Sequence, residues 1–102
     1  MKIHIQTLDF TPKQDLLDLV NDKVEKLERF SDRIVESRVV LRVEKSEKRD
    51  NKICEVRVVI PGNDLFVSKK FESFEEGIHK VTDTLQRQLK EWKERQDPKT
   101  LP

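Results

Sequence analysis

The chain has 102 residues, room for one small domain and too few for two hydrophobic cores. Charged side chains are 40% of it, yet 21 basic and 20 acidic groups leave a net charge of only +1, so bulk basicity does not mark a nucleic-acid binder and any such role requires the charges to be segregated in space. One cysteine, Cys54, excludes an internal disulfide and suits a reducing cytoplasm; no run nears the ~20 apolar residues of a membrane span, and 1–10 lacks the apolar stretch of a leader, so a cytoplasmic protein is expected.

Leu, Ile, Val and Phe supply 32 of the 102 residues, enough for a folded core, and the absence of alanine and tyrosine means branched aliphatics and five phenylalanines must build it. Ile3 and Ile5 alternate with Lys2, His4 and Gln6, the period of a half-buried strand. Thr11-Pro12 offers an N-cap and a first-turn proline, and Leu16, Leu17, Val20, Val24 and Leu27 recur at helical spacing, predicting a helix over 12–30. Val39, Leu41 and Val43 alternate with Arg38, Val40 and Arg42 in a second strand. Cys54, Val56, Val58 and Ile60 do the same in a third, and Pro61-Gly62-Asn63-Asp64 turns the chain into a fourth strand over 65–71.

Ser73 with Glu76 three residues on forms a capping box for a last helix. At about 100° per residue, Phe74, Ile78, Val81, Leu85, Leu89 and Trp92 fall on one narrow stripe of that helix. The order β-α-β-β-β-α predicts an α+β fold with both helices packed on one face of a four-stranded sheet. A helical link favours pairing the first two strands in parallel. We expect residues 1–96 to form the single domain, and residues 97–102, from Asp97-Pro98 on, to be a flexible tail.

Chemistry of the covalent kind finds little support. His4, Cys54 and His79 fall on different elements, so no nucleophile, base and orienting group come together, and no catalytic residue is assigned. One cysteine and two distant histidines make no metal-ligand pattern, and two glycines make no phosphate loop, so neither metal nor cofactor is expected. Cys54 reads as a small buried hydrophobe.

The cations carry more information. Lys23 and Lys26 border the apolar stripe of the first helix, with Arg29 and Arg33 near its end, while Asp15, Asp18, Asp22, Glu25 and Glu28 gather on the opposite side. The last helix carries Lys80 and Arg87 on one flank, Lys90 and Lys93 on the other. Lys45, Lys48, Arg49 and Lys52 lie in the link between strands two and three, and Arg38, Arg42 and Arg57 project from the sheet. Cations bordering a groove between helices can neutralise backbone phosphates without a large net charge. The bland reading is that such lysines cover apolar surface and face water. Phe74 and Trp92 share the buried stripe, so they read as core rather than as platforms for bases; Phe30, at the helix end, fits either role.

Two segments go further. Lys26-Leu27-Glu28-Arg29-Phe30-Ser31-Asp32-Arg33-Ile34, continuing into Val39-Val40-Leu41-Arg42-Val43-Glu44-Lys45, and then Asp83-Thr84-Leu85-Gln86-Arg87-Gln88-Leu89 with Lys93, resemble the ribosome hibernation promoting factor family, which includes ribosome-associated inhibitors and sigma-54 modulation proteins. The likeness covers nearly the whole chain in the same order of elements. It implies a fold like that of double-stranded RNA-binding domains. It also implies a non-enzymatic factor that occupies the decoding region of the small ribosomal subunit, excludes messenger and transfer RNA, and inhibits translation in stationary phase or stress.

Carried over by position, the likeness points to Lys23, Lys26, Arg33, Arg87, Lys93 and Arg95 as contacts to ribosomal RNA, with Lys45 beside them. Thr84 and Glu91 stand where family members often carry lysine, which thins one basic ridge; Lys80 and Lys90 are candidates to compensate. Ser73-Phe74-Glu75 replaces an aspartate-aromatic helix start but keeps its capping capacity. The length resembles the short type, without the dimerisation domain or acidic tail of its relatives, and implies a monomer when free, with a second hibernation factor as a partner in some bacteria. Two other readings remain: a protein-interaction module of the same fold that regulates transcription or another partner, and a general binder of RNA duplexes.

Overall fold

In the chain's structure, a computed structural model, residues 1–96 are described; the expected tail, 97–102, lies outside the described residues. The order is β1 Lys2–Leu8, α1 Gln14–Glu25, a 3-10 turn Lys26–Arg29, β2 Glu36–Val43, β3 Lys52–Ile60, β4 Asn63–Phe71 and α2 Phe74–Gln96. The four strands form one sheet in the order β1-β2-β3-β4, with β1 and β2 parallel and the other two pairs antiparallel. This is the expected β-α-β-β-β-α, α+β architecture. Both helices lie on one face, α1 against β1 and α2 against β3 and β4, with α1 packed alongside α2.

Period-two patterning decides which face is covered. Val39 and Leu41 of β2, Cys54, Val56 and Val58 of β3, and Leu65, Val67 and Phe71 of β4 point toward the helices and are buried. The other face stays wet. Across it the register lines up His4, Arg38, Arg57 and Phe66, where the Arg57 guanidinium stacks 4.7 Å from the Phe66 ring centroid. His4 Nε2 and Arg38 Nη2 reach the Glu36 carboxylate at 3.0 and 2.9 Å. The bond from Arg38 is the main cause that holds this carboxyl below its usual range.

Three boundaries differ from the sequence reading. Thr11 does not cap α1: Lys13 is the N-cap, extended at φ −81° and ψ 152°, with no side-chain cap bond. Residues 9–13 instead turn the chain, through Asp9 at φ 67°, and lay Phe10 flat on Phe74 with ring centroids 4.6 Å apart. The first helix also does not run α-helical to its end, because 26–29 tighten into 3-10 winding, a common close for a helix. At three residues per turn, Leu27 and Phe30 eclipse on one side, and the Phe30 N–H donates to the Leu27 carbonyl at 3.0 Å. Finally β4 begins at Asn63 rather than 65, since Pro61-Gly62 alone makes the hairpin turn: proline fixes the first central φ and Gly62 takes φ 81° at the second.

The last helix matches its expected frame. Ser73 Oγ accepts the Glu76 N–H at 3.1 Å, half of a capping box, while the Glu76 carboxylate turns to Lys80 instead, 3.1 Å away. Phe74, Ile78, Val81, Leu85, Leu89 and Trp92 are all buried. Truncating a residue such as Leu85 to alanine would cost about 2–5 kcal/mol. Seating this stripe brings α2 so close to the sheet that a Cβ on Gly77 would lie 2.8 Å from Phe71 Cδ2 and 3.2 Å from Cys54 Cβ. The Gly77→Ala variant should therefore be destabilised by about 1–2 kcal/mol in urea titration, since overpacking outweighs the ~1 kcal/mol gain in helix propensity; greater stability would contradict this packing. Burial, with Glu55 adding to it, pushes the Cys54 thiol up to about 12. It should ignore a disulfide reagent at pH 8 in the native protein and react on unfolding.

Candidate nucleic-acid interface

Helix direction decides which cations meet. Phe10 on Phe74 joins the start of α1 to the start of α2. At the other end, Lys90 Nζ lies 5.2 Å from the Phe30 ring centroid and the Arg33 guanidinium 5.3 Å from Trp92. The helices thus run parallel, and their C-terminal ends converge at the sheet end where β2 begins and β3 finishes. Acidic residues fill their first turns, Asp15 in α1 and Glu75 and Glu76 in α2, while Lys23, Lys93 and Arg95 fill their last turns. This polarity complements the two helix dipoles, at about 0.3–1 kcal/mol per charge near an end.

Rotation about each axis sorts the cations further. Glu28 accepts the Met1 amino group at 3.0 Å, which fixes that flank of α1 beside the start of β1. At about 100° per residue Lys23 and Lys26 fall on the opposite flank, toward α2. Lys23 is half-buried there, and Lys26 is exposed with Asp22 3.1 Å away. On α2 the contact of Lys90 with Phe30 turns the flank of Lys90 and Lys93 toward α1. Arg33 projects from the segment after the 3-10 turn, where its own N–H donates to the buried Ser31 Oγ at 3.1 Å and so shapes the loop. Lys23, Lys26, Arg33, Lys90 and Lys93 therefore border the groove between the two helix ends.

The remaining expected residues distribute differently. Arg87 stands on the outward crest of α2 and lines an open depression of about 270 Å³ with Asp83, Gln86 and Lys90. Lys80 lies seven residues earlier, about 10 Å down the axis, and is paired with Glu76. Arg95 is at the convergent end but on the flank of α2 away from Lys90. Lys45 follows β2 at the end of the sheet where the helices start, while Lys90 is sixteen residues into α2, about 24 Å along it. The fold does not bring Lys45 together with the groove cations.

Three contributors were not assigned from sequence. Arg29 lines a second open depression, of about 340 Å³, with Asp22, Glu25, Lys26 and Glu28. Phe30 and Trp92 lie beneath the two cations they touch; an aromatic two or three residues from a basic side chain gives no signal of a contact made across helices. Both depressions are lined by charged groups, unlike the apolar clefts that bind small molecules. Among the described residues no group of His, Cys, Asp or Glu could hold a metal ion, and no helix is long and apolar enough to cross a membrane.

Fold and surface together define a two-layer α+β domain with a group of cations bordering the groove where its helices end. Residues 3–97 match the family described as Sigma 54 modulation protein / S30EA ribosomal protein, and the chain belongs to that ribosome-associated, non-enzymatic family. The fold is shared with the N-terminal domain of Protein Y from Thermus thermophilus, at TM-score 0.76 and 22% identity over 90% of this chain and 99% of that one. It is shared as well with a ribosomal subunit interface protein from Coxiella burnetii, at TM-score 0.75 and 19% identity over 91% and 98%. No curated protein matches the chain.

Proposed function

We propose that this protein is a hibernation factor that binds the small ribosomal subunit at the decoding region, held by phosphates of ribosomal RNA, and inhibits translation in stationary phase or stress. It works by occupancy: a rigid domain fills the path of messenger and transfer RNA, with no bond made or broken. Family membership supports the ribosome as partner. The observation that carries the mode of binding is the convergence of Lys23, Lys26, Arg33, Lys90 and Lys93 on one groove, in a chain whose net charge is only +1. Arg87 extends that surface along the crest of α2, and Lys80 and Arg95 flank it. A second hibernation factor is a candidate partner on the ribosome.

Five phosphate contacts would give binding to purified small subunits a log–log salt slope of roughly −4. A salt-independent complex that survives ribonuclease would favour the rival reading, a protein-interaction module. The double variant Lys23→Glu with Lys90→Glu, one charge on each wall of the groove, should weaken co-sedimentation with small subunits at least ~100-fold, about 2.7 kcal/mol, with an unchanged circular dichroism spectrum. Lys45→Glu should change it less than about threefold, being at the far end of the domain. Equal losses from both variants would place the interface elsewhere.

A further inference from the structure

Two cations of the groove rest on aromatic rings borrowed from the opposite element. Lys90, on α2, lies over Phe30 of the segment that follows α1; Arg33, on that segment, lies over Trp92 of α2. Each wall thus lends a ring to a cation of the other. Both separations, 5.2 and 5.3 Å, are inside the ~6 Å reach at which a ring face attracts a cation. The geometry points to Phe30 as a positioning residue: its ring fixes the Lys90 ammonium at the mouth of the groove before RNA arrives, as Trp92 does for Arg33.

The local fold supports that role. Phe30 is half-buried rather than part of the sealed core. It is set there by the 3-10 turn, which stacks it over the buried Leu27 and ties its N–H to the Leu27 carbonyl. An α-helical continuation would have offset residue 30 by about 60° from residue 27 instead of eclipsing it. Trp92 is wedged into the core at 5% exposure, so the floor beneath Arg33 is equally fixed. An ammonium on a ring keeps donors on its outer side, and these remain available to a phosphate oxygen.

Lysine otherwise gives up much rotamer freedom when it binds, and holding it in place beforehand removes part of that cost. One immobilised long side chain corresponds to roughly three- to tenfold in Kd. Plain surface cover would place the same lysine over the same ring but would leave binding indifferent to Phe30 even with Lys90 in place.

This inference rests on the ribosomal reading of the groove, and the test separates the two. In the free protein, ring current should shift the Lys90 ε-methylene protons upfield in the NMR spectrum; Phe30→Leu should abolish the shift and Phe30→Tyr retain it. With purified small ribosomal subunits, Phe30→Leu should weaken binding about three- to tenfold and Phe30→Tyr restore it. In a Lys90→Gln background, Phe30→Leu should cause no further loss, the coupling expected of one residue acting through another. An unshifted Lys90 in the wild type, undiminished binding by Phe30→Leu, or the same loss with and without Lys90 would each overturn the assignment. Failure of the wild type to bind small subunits would instead overturn the ribosomal reading, and the role in RNA binding with it.

Discussion

The contact on which the rest depends is the seating of α2 on β3 and β4. Its apolar stripe meets an inner sheet face of Cys54, Val56, Val58 and Val67, and at Gly77 the helix comes within reach of the Phe71 ring. That fit fixes the rotation of α2 about its axis. Rotation then decides that Lys90 and Lys93 look toward α1 while Lys80 and Arg87 look outward. A change of even one position in the stripe would turn a different set of charges into the groove.

Direction matters as much as rotation. The parallel pairing of β1 with β2 sends α1 back along the sheet, and α2 leaves β4 at the same end from which α1 leaves β1. Both dipoles consequently point the same way. Acidic first turns and basic last turns offset them, so each helix places its anions at its start and its cations at its close. Offsetting a helix dipole and meeting a phosphate both call for cations at a helix end, which is why the charge pattern in the sequence supports both the bland and the functional reading.

Much of the fold was legible because strands and helices write different periods into the chain. The alternation from Val39 to Val43, the turn at Pro61-Gly62, the Ser73 cap and the stripe ending at Trp92 each specified an element by itself. Boundaries were less legible. Thr11-Pro12 has the composition of a helix start, yet the chain uses those residues to carry Phe10 onto Phe74, a contact between rings 64 residues apart. The 3-10 turn at 26–29 leaves the apolar period almost undisturbed and so left no mark.

The candidate interface was half legible. Which cations border the apolar stripes follows from helical spacing, and Lys23, Lys26, Lys90 and Lys93 were found that way. Which of them meet depends on the relative direction of two helices separated by three strands, and no local pattern encodes it. Lys45 illustrates the gap: it is near Arg33 in sequence, yet β2 carries the chain the length of the sheet between them. The contacts of Phe30 with Lys90 and of Trp92 with Arg33 form only where the two helix ends meet.

The link over residues 44–51 is exposed along most of its length and stands at the end of the sheet remote from the groove. Because the native thiol is sealed in the core, a single new cysteine at Ser46 would be the reactive sulfur of the folded molecule. A dye or tether attached there would report on the domain without standing between its groove and whatever docks in it.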